Sequence, residues 1–254
     1  FLSIVNKCYL DAAENGIPLT FGFVDINLVP TYKRYERKGH ICFLVNMIKV
    51  LNWKIVLSRH IRNRILVQAG ACVLGRIGWS RSADKGLKVE KIGRFDERID
   101  RFWEKVSKHF KIIVKRDQKY LNWRYVDCPE NEFTIFTAVK DDIILGYSVL
   151  TERQYENMRI GFIVDILGFE EDCGAVGCLI QMATEYFKEH GVDLVSCVIS
   201  EKNPYRVVFT KAGFIEDIRP RSVRTALFCT VNLRGSGIDE KEAYTHALML
   251  SQNS

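Results

Sequence analysis

One local pattern occurs twice in this chain and limits its possible folds more than any other feature. Gly16 ends a helical pattern, an apolar strand follows, and the segment closes on Gly39; Gly191 and Gly213 enclose a second segment of the same kind. The two glycines are 23 residues apart in the first copy and 22 in the second. A helix–strand–helix unit that recurs at such similar spacing predicts a duplicated domain. Because the first copy begins in mid-helix, we expect the chain to be a fragment of a longer protein.

The composition is that of an ordinary globular protein. The 254 residues are 47% apolar and 27% charged, which is enough for one large or two modest domains. No apolar run approaches the ~18 residues of a membrane-spanning helix. The eight cysteines form no C-x-x-C pair, and several lie in apolar, strand-like runs. These features predict a cytoplasmic protein without a metal site.

Positive charge is concentrated in one segment. Residues 31–91 contain 14 Lys and Arg but 3 Asp and Glu, whereas the net charge of the whole chain is +6. A solvated linker helix explains this segment, and so does a surface for a polyanion such as an acidic glycan, a nucleic acid or a lipid headgroup. Aromatic residues do not alternate with the charges as single-strand binding requires, so a nucleic acid is the least favoured partner.

Hydrophobic periodicity predicts one complete mixed α/β domain after the basic segment. Apolar residues at helical spacing between 176 and 187 separate two strands, which must therefore run parallel. The predicted strands are 88–92, 133–139, 143–150, 159–167, 192–199 and 223–233. The chain then divides into half of a first domain (1–51), a basic linker helix and loop (52–87), a complete domain (88–232) and a tail (233–254).

This order of elements, closing on Lys211-Ala212-Gly213-Phe214, resembles the GCN5-related N-acetyltransferases (GNAT). The resemblance covers residues 88–232, and residues 1–51 resemble the C-terminal half of a preceding GNAT domain. The segment 120–125 is similar to a motif of bacterial tandem GNAT proteins, many of which are linked to cell-surface polysaccharide. The resemblance implies an α/β fold (α+β mixed) with a central mixed sheet flanked by helices.

The resemblance also implies a reaction. GNAT enzymes move an acyl group from acetyl-CoA or another acyl-CoA to an amine, here on a small molecule or glycan such as an amino sugar or a surface-polymer precursor. The strands 162–167 and 194–199 would splay apart and leave backbone groups for the pantetheine arm, and the next helix would offer its N-terminal amides to the pyrophosphate. The implied cofactor-binding residues are Ile166, Leu167, Gly174, Ala175, Gly177 and Asn203. The simpler alternatives are that Ile166 and Leu167 are core residues and that Asn203 is a helix N-cap.

The chain departs from the GNAT pattern at two places. Glu171 stands where the family has Arg or Gln, and each nearby carboxylate (Glu170, Glu171, Asp172) costs roughly 3 kcal/mol against a phosphate charge at about 5 Å and an effective dielectric of about 20. Phe209 stands where the family commonly has the tyrosine that protonates the departing thiolate. The first copy keeps Tyr35 there, which makes Tyr35 a candidate catalytic residue, with helix packing as the alternative.

Asp165 is the charged residue within the apolar run 162–167 and our candidate general base. Strand alternation predicts that it shares a face with Ile163 and Leu167, opposite Val164. The alternative is a structural ion pair with an arginine such as Arg124 or Arg159.

Trp123 and Arg124 are candidate substrate-binding residues, with packing and ion pairing as the alternative.

Two other functions stay open for the chain as a whole. One is a non-catalytic GNAT-like module in which the acidic loop and Phe209 mark a lost site. The other is aminoacyl transfer from charged tRNA, to which the basic segment gives mild support.

Overall fold

One mixed β-sheet connects the two copies of the repeated pattern. The computed structural model describes residues 7, 8, 10–12, 14, 15, 19–25, 39–58, 86–110, 113–129, 132–155, 158–169, 173–217 and 225–231. The strands in these ranges are β1 (Leu19–Asp25), β2 (Gly39–Val50), β3 (Lys88–Ile92), β4 (Thr134–Lys140), β5 (Ile143–Tyr155), β6 (Met158–Gly168), β7 (Leu194–Ser200), β8 (Ile215–Glu216) and β9 (Thr225–Val231). Their order in the sheet is β1-β9-β2-β7-β6-β5-β4-β3, and β8 pairs with β2. The predicted mixed α/β architecture is confirmed.

Helices cover both faces of this sheet. They are α1 (Trp53–Ser58), α2 (Arg98–Val106), α3 (Gln118–Tyr125), α4 (Cys173–Glu189) and α5 (Arg206–Lys211). On one face α4 buries its apolar stripe completely, at Val176, Leu179, Ile180, Ala183 and Phe187. On the other face α2 and α3 bury Ile99, Phe102, Val106 and Leu121. None of the helices in the described ranges is long and apolar enough to cross a membrane.

Two local features explain how the sheet keeps its shape. The β4–β5 hairpin turns at Asp141 and Asp142, whose φ angles of 50° and 61° suit a tight two-residue turn, and the predicted hairpin is confirmed. Gly161 allows α4 to approach β6, because a Cβ atom at this position would lie 2.6 Å from the Phe187 ring.

Strand pairing crosses the predicted boundary between the two domains. β2 runs antiparallel to β7 from Leu44 opposite Ser200 to Val50 opposite Leu194, and Ser196 Oγ donates a hydrogen bond to Asn46 Oδ1 at 2.7 Å. β9 in turn pairs with both β1 and β2. The strand of each copy, β1 or β7, therefore lies beside the strand that follows the other copy. The division of the chain at residues 51 and 88 stays a prediction.

Candidate functional site

The central feature of the site is a gap between two parallel strands. β6 pairs with β7 at Ile160–Leu194, Gly161–Val195 and Phe162–Ser196, and the pairing then stops. Both strands continue, β6 to Gly168 and β7 to Ser200. On its other side β6 stays paired with β5 as far as Gly168. The sheet thus opens between residues 163–168 and 197–200, where the splayed pair was expected.

A β-bulge in β6 shapes one side of the gap. Val149 lies opposite Asp165 and Leu150 opposite Ile163, so Val164 is an extra residue without a partner in β5. The bulge interrupts strand alternation: Ile163 packs in the core on the α4 side, whereas Val164 and Leu167 pack on the α2–α3 side. The prediction that Asp165 shares a face with Ile163, opposite Val164, is wrong for this reason.

Asp165 lies at the centre of a buried polar cluster. Its side chain is 1% exposed, and Oδ2 accepts hydrogen bonds from the hydroxyls of Tyr147 at 2.9 Å and Tyr125 at 3.1 Å, and from Arg116 Nε at 3.3 Å. Arg116 is also completely buried. A buried ion pair is therefore present. Its arginine is Arg116, from the segment before α3, whereas the sequence had suggested Arg124 or Arg159.

The surroundings of Asp165 hold its neighbours in fixed protonation states. Burial and the charge of Asp165 raise the pKa of the Tyr147 and Tyr125 hydroxyls well above the usual value, so both phenols stay neutral and donate. Burial is the largest single effect on Arg116 and works to lower its pKa, but Asp165, Tyr147 and Tyr125 together outweigh it, so the net shift of the Arg116 pKa is upward. The cluster therefore joins Asp165 to the Arg116 guanidinium and two neutral phenol donors, and the Arg124 guanidinium lies over the Tyr125 ring, 5.5 Å from its centroid.

A cavity of about 630 Å³ adjoins this cluster and the start of the gap. Trp123 and Arg124, the two predicted substrate-binding residues, both line it. Tyr125 also lines the cavity and bonds to Asp165, whereas Asp165 itself is not among the lining residues. The remaining wall includes Phe133, Phe162 and Val164, of which the last two belong to β6 where the gap begins. Tyr125 is thus the link between the cavity and the buried carboxylate.

Local hydrogen bonds explain why α3 presents its residues to the cavity. The Asp117 side chain accepts a hydrogen bond from the Tyr120 N–H at 2.8 Å, which caps the first turn of α3. The Asn122 amide makes two bonds of 3.0 Å with the backbone N–H and C=O of Phe95. Because Asn122 fixes α3 to the chain before α2, the adjacent Trp123 and Arg124 are held at the cavity wall.

Tyr205 is a residue that the sequence analysis missed. Its hydroxyl accepts a hydrogen bond from the Gly168 N–H at 3.1 Å and donates one to the Gly168 C=O at 2.5 Å, and its side chain is 1% exposed. Asn203 Oδ1 accepts from the Tyr205 N–H at 2.8 Å. Tyr205 occupies the N-cap position of α5, although its side chain makes no capping bond, so Asn203 is not the N-cap that was considered and instead orders the turn before it. The only sequence signal was a tyrosine one turn before Phe209.

The other predicted cofactor residues lie around the gap in different environments. Ile166 is buried in the core on the α4 side and Leu167 in the core on the opposite side. Gly174 is exposed at the start of α4, and Ala175 and Gly177 are buried behind it. Their roles in cofactor binding stay predictions. Tyr35, Glu170, Glu171 and Asp172 lie outside the described residues.

Phe209 is fully buried, and its ring lies 5.1 Å from that of Phe214 in an edge-on contact. It is a core residue without a proton to donate.

Within the described ranges, no group of three His, Cys, Asp or Glu side chains has an arrangement that could hold a metal ion.

Comparisons with known proteins identify the fold. No protein-family model and no curated protein matches the sequence. A GCN5-related N-acetyltransferase from Anabaena variabilis superposes with a TM-score of 0.54 and 10% identity, over 89% of this chain and 49% of that one. This chain has the GNAT fold. A conserved protein from Enterococcus faecalis, described as a probable N-acyltransferase, gives a TM-score of 0.53 with 11% identity, again over 89% and 49%.

A tandem GNAT protein from the clavulanic acid biosynthesis pathway is similar as well. Its TM-score is 0.51 with 14% identity, over 87% of this chain and 66% of that one. The chain spans about half the length of the first two GNAT-fold neighbours and about two thirds of the third. At these identities the comparisons show a shared fold, which confirms the resemblance drawn from the repeated pattern and the Lys211–Phe214 ending.

Proposed function

We propose that this GNAT-fold protein transfers an acetyl or other acyl group from acyl-CoA to an amine. The observation that carries the proposal is the gap beyond Phe162 and Ser196, where β6 and β7 stop pairing but continue as strands. Backbone N–H and C=O groups that face such a gap are suited to the amide groups of a pantetheine arm, because buried backbone polar groups require partners. A fully paired sheet would offer no such groups.

The acceptor amine would lie in the cavity beside Phe162 and Val164, next to the thioester in the gap. Its nitrogen attacks the thioester carbonyl, the new C–N bond forms, the C–S bond breaks, and the proton lost by the amine ends on the thiolate. A backbone N–H of the gap would stabilise the oxyanion. Proximity in a fixed geometry would supply much of the rate enhancement.

Asp165 remains our proposed base, but with an intermediary. Tyr125 is the residue that lines the cavity, and its hydroxyl donates to Asp165 Oδ2. We therefore propose that Tyr125 contacts the acceptor amine and that Asp165 acts through Tyr125 as its proton acceptor and positioning residue. Tyr147 and Arg116 would hold the carboxylate in place.

Cofactor binding would involve the start of α4 and the turn before α5. Gly174, Ala175 and Gly177 would bring backbone amides near the pyrophosphate, and Asn203 lies at the turn that carries Tyr205. The carboxylates at 170–172 would weaken this contact. Cys8, Cys128, Cys178 and Cys197, which belong to the described part of the chain, are not joined in disulfides, and this supports a reducing, cytoplasmic setting. An amino sugar or surface-polymer precursor remains the proposed acceptor type from the sequence.

A non-catalytic binding module is the second candidate, and two observations favour it. The Tyr205 hydroxyl occupies both backbone groups of Gly168 at the far end of the gap, and Phe209 cannot protonate a thiolate. Aminoacyl transfer from tRNA is a prediction from the sequence alone, because most of the basic segment lies outside the described residues.

Calorimetry and a thiol-release assay together test the proposal. We expect the purified chain to bind acetyl-CoA and to release free coenzyme A thiol in the presence of a suitable amine. Binding without release for any amine would favour the module. No binding at millimolar acetyl-CoA would overturn the transferase, and salt-sensitive binding of charged tRNA would favour aminoacyl transfer.

A further inference from the structure

We propose that Arg124 is a positioning residue that acts through Tyr125: it holds the phenol in place and stabilises the negative charge that the phenol gains when its proton moves to Asp165. This inference rests on the proposed function, because it adds a residue to the same proton path. Arg124 and Tyr125 are neighbours in α3, and both line the cavity of about 630 Å³. Arg124 thus acts on the proton transfer and not only on the shape of the cavity.

The contact between the two side chains is direct. The guanidinium carbon of Arg124 lies over the Tyr125 ring, 5.5 Å from its centroid, and the two side chains share a hydrogen bond. Because a guanidinium has donors only, the phenol oxygen accepts this bond. The same hydroxyl donates its proton to Asp165 Oδ2 at 3.1 Å. Arg124 and Asp165 therefore fix the phenol through both of its hydrogen-bonding functions.

These two bonds leave one position on the phenol oxygen for a substrate. A tyrosine hydroxyl has one proton to donate and two lone pairs that accept. Its proton goes to Asp165 and one lone pair goes to Arg124, so one lone pair remains for the N–H of an amine in the cavity. During attack the amine proton moves to the phenol oxygen and the phenol proton moves to Asp165. After the C–S bond breaks, the proton leaves Asp165 by the reverse path and reaches the thiolate through solvent.

Charge is the reason why an arginine suits this position. Burial and the charge of Asp165 raise the pKa of Tyr125, whereas Arg124 and, more weakly, Arg116 work to lower it. Negative charge on the phenol therefore has its strongest compensation from Arg124. Because the amine attacks the thioester in its neutral form, the positive charge of Arg124 does not oppose the reacting species.

Other titratable groups also face the phenol or the cavity. The neutral Tyr147 hydroxyl donates to Asp165 Oδ2 at 2.9 Å, and the cavity wall adds Asp127, Cys128 and Arg153. All of these groups are the same in every variant of Arg124. Differences between such variants therefore report on position 124 alone.

A double-mutant cycle tests whether Arg124 acts through Tyr125. Arg124→Gln should lower kcat for acyl transfer roughly 10- to 100-fold, the effect of one hydrogen bond to a charged group. Arg124→Lys keeps the charge and should recover part of this loss. In a Tyr125→Phe background, Arg124→Gln should cause no further loss of kcat. The matched control is Arg101→Gln, which changes an exposed arginine of α2 outside the cavity wall and should leave kcat unchanged.

A titration of the phenol tests the contact without any acyl-CoA. A fluorinated tyrosine, whose phenol is more acidic, is placed at position 125 of the full chain, and its ionisation is followed by fluorine NMR. Arg124→Gln should lower the ionisation constant of this phenol about tenfold or more, because a nearby cation favours the phenolate. Arg124→Lys should lower it less, and Arg101→Gln should leave it unchanged.

Three results would overturn the inference. These are an unchanged phenol titration in Arg124→Gln, a change in KM with no change in kcat, and a loss of kcat that is equally large in the Tyr125→Phe background. The last result would mean that Arg124 acts on the substrate or the fold directly. If no amine is acylated, the proposed function fails by itself, and the fluorine titration alone then supports or overturns the inference.

Discussion

The hydroxyl of Tyr205 is hydrogen-bonded to both backbone groups of Gly168, its N–H at 3.1 Å and its C=O at 2.5 Å. Gly168 ends β6, beyond the last pair that β6 forms with β7. The tyrosine therefore satisfies the backbone groups that an extended ligand in the gap would otherwise contact. A ligand that reaches Gly168 must displace this hydroxyl.

Removing the hydroxyl should therefore favour ligand binding. We expect Tyr205→Phe to bind acetyl-CoA roughly 2- to 12-fold more tightly, because the ligand no longer competes with a hydrogen bond of about 0.5–1.5 kcal/mol. Calorimetric titration of both proteins measures the difference. Tyr186→Phe is the control, since its hydroxyl contacts Thr134 instead, at 3.0 Å. Unchanged or weaker binding in a folded Tyr205→Phe protein would show that the ligand does not reach Gly168.

Two substitutions separate what the buried cluster contributes to stability from what it contributes to catalysis. They are Asp165→Asn and Tyr125→Phe. Asp165→Asn leaves the buried Arg116 without its anion, so we expect the free energy of unfolding to fall by about 3–5 kcal/mol. Tyr125→Phe keeps the Arg116 and Tyr147 contacts of Asp165 but cuts the link to the cavity. If Tyr125 transfers the amine proton, its removal should lower kcat by about 100-fold or more. Denaturant titration and steady-state kinetics measure the two effects, and an unchanged kcat in Tyr125→Phe would exclude the relay.

The acidic segment before α4 should weaken acyl-CoA binding. Replacing Glu170, Glu171 and Asp172 with Gln, Gln and Asn removes three charges from the point where the resemblance places the pyrophosphate. We expect the variant to bind acetyl-CoA more tightly than the natural sequence does. Its affinity should also fall less when the salt concentration is lowered, because salt screens a repulsion that only the natural sequence has. Titrations at two ionic strengths measure both quantities. An affinity equal to that of the natural sequence at low salt would argue against repulsion.

Asp117 should make the start of α3 sensitive to acid. Its bond with Lys115 and its cap on Tyr120 lower the pKa of the Asp117 carboxyl. Because the folded pKa lies below the unfolded value of about 3.9, this stabilisation is present above that pH and is lost as the pH falls through the folded pKa. We expect Asp117→Ala to lower the free energy of unfolding by about 1 kcal/mol at neutral pH.

The pH dependence of that difference provides the check. Measured by denaturant titration, it should shrink below about pH 4, because there the unfolded Asp117 carboxyl takes up its proton before the native one does. Glu104→Ala, an exposed position on α2, is the control and should show little effect at either pH. If Asp117→Ala lowers the free energy of unfolding as much in acid as at neutral pH, the cap acts through packing and not through charge.

Local patterns predicted the elements of this fold well. β3 was predicted at 88–92 and lies there, and the apolar stripe of α4 is buried as its spacing indicated. These features depend on neighbours in sequence, which periodicity reports directly. The pairing of β2 with β7 and of β9 with β1 depends on residues more than a hundred positions apart, and no local signal encodes it.

The site was predicted less completely than the fold. The sequence indicated the gap, the cavity residues Trp123 and Arg124, and the unusual position of Asp165. It did not indicate the bulge at Val164, which reverses the alternation of neighbouring side chains, or Arg116, whose partner lies 49 residues away. Tyr205 was missed because its contact joins the turn before α5 to the end of β6, a relationship that only the three-dimensional arrangement creates.

The most direct test of the gap is hydrogen exchange by NMR with and without acetyl-CoA. We predict that the ligand slows exchange of those backbone amides in residues 163–168 and 197–200 that face the gap, and leaves unchanged those of Gly161 and Val195, where β6 and β7 are already paired. Bound ligand with no change in exchange along either strand beyond Phe162 and Ser196 would contradict the account.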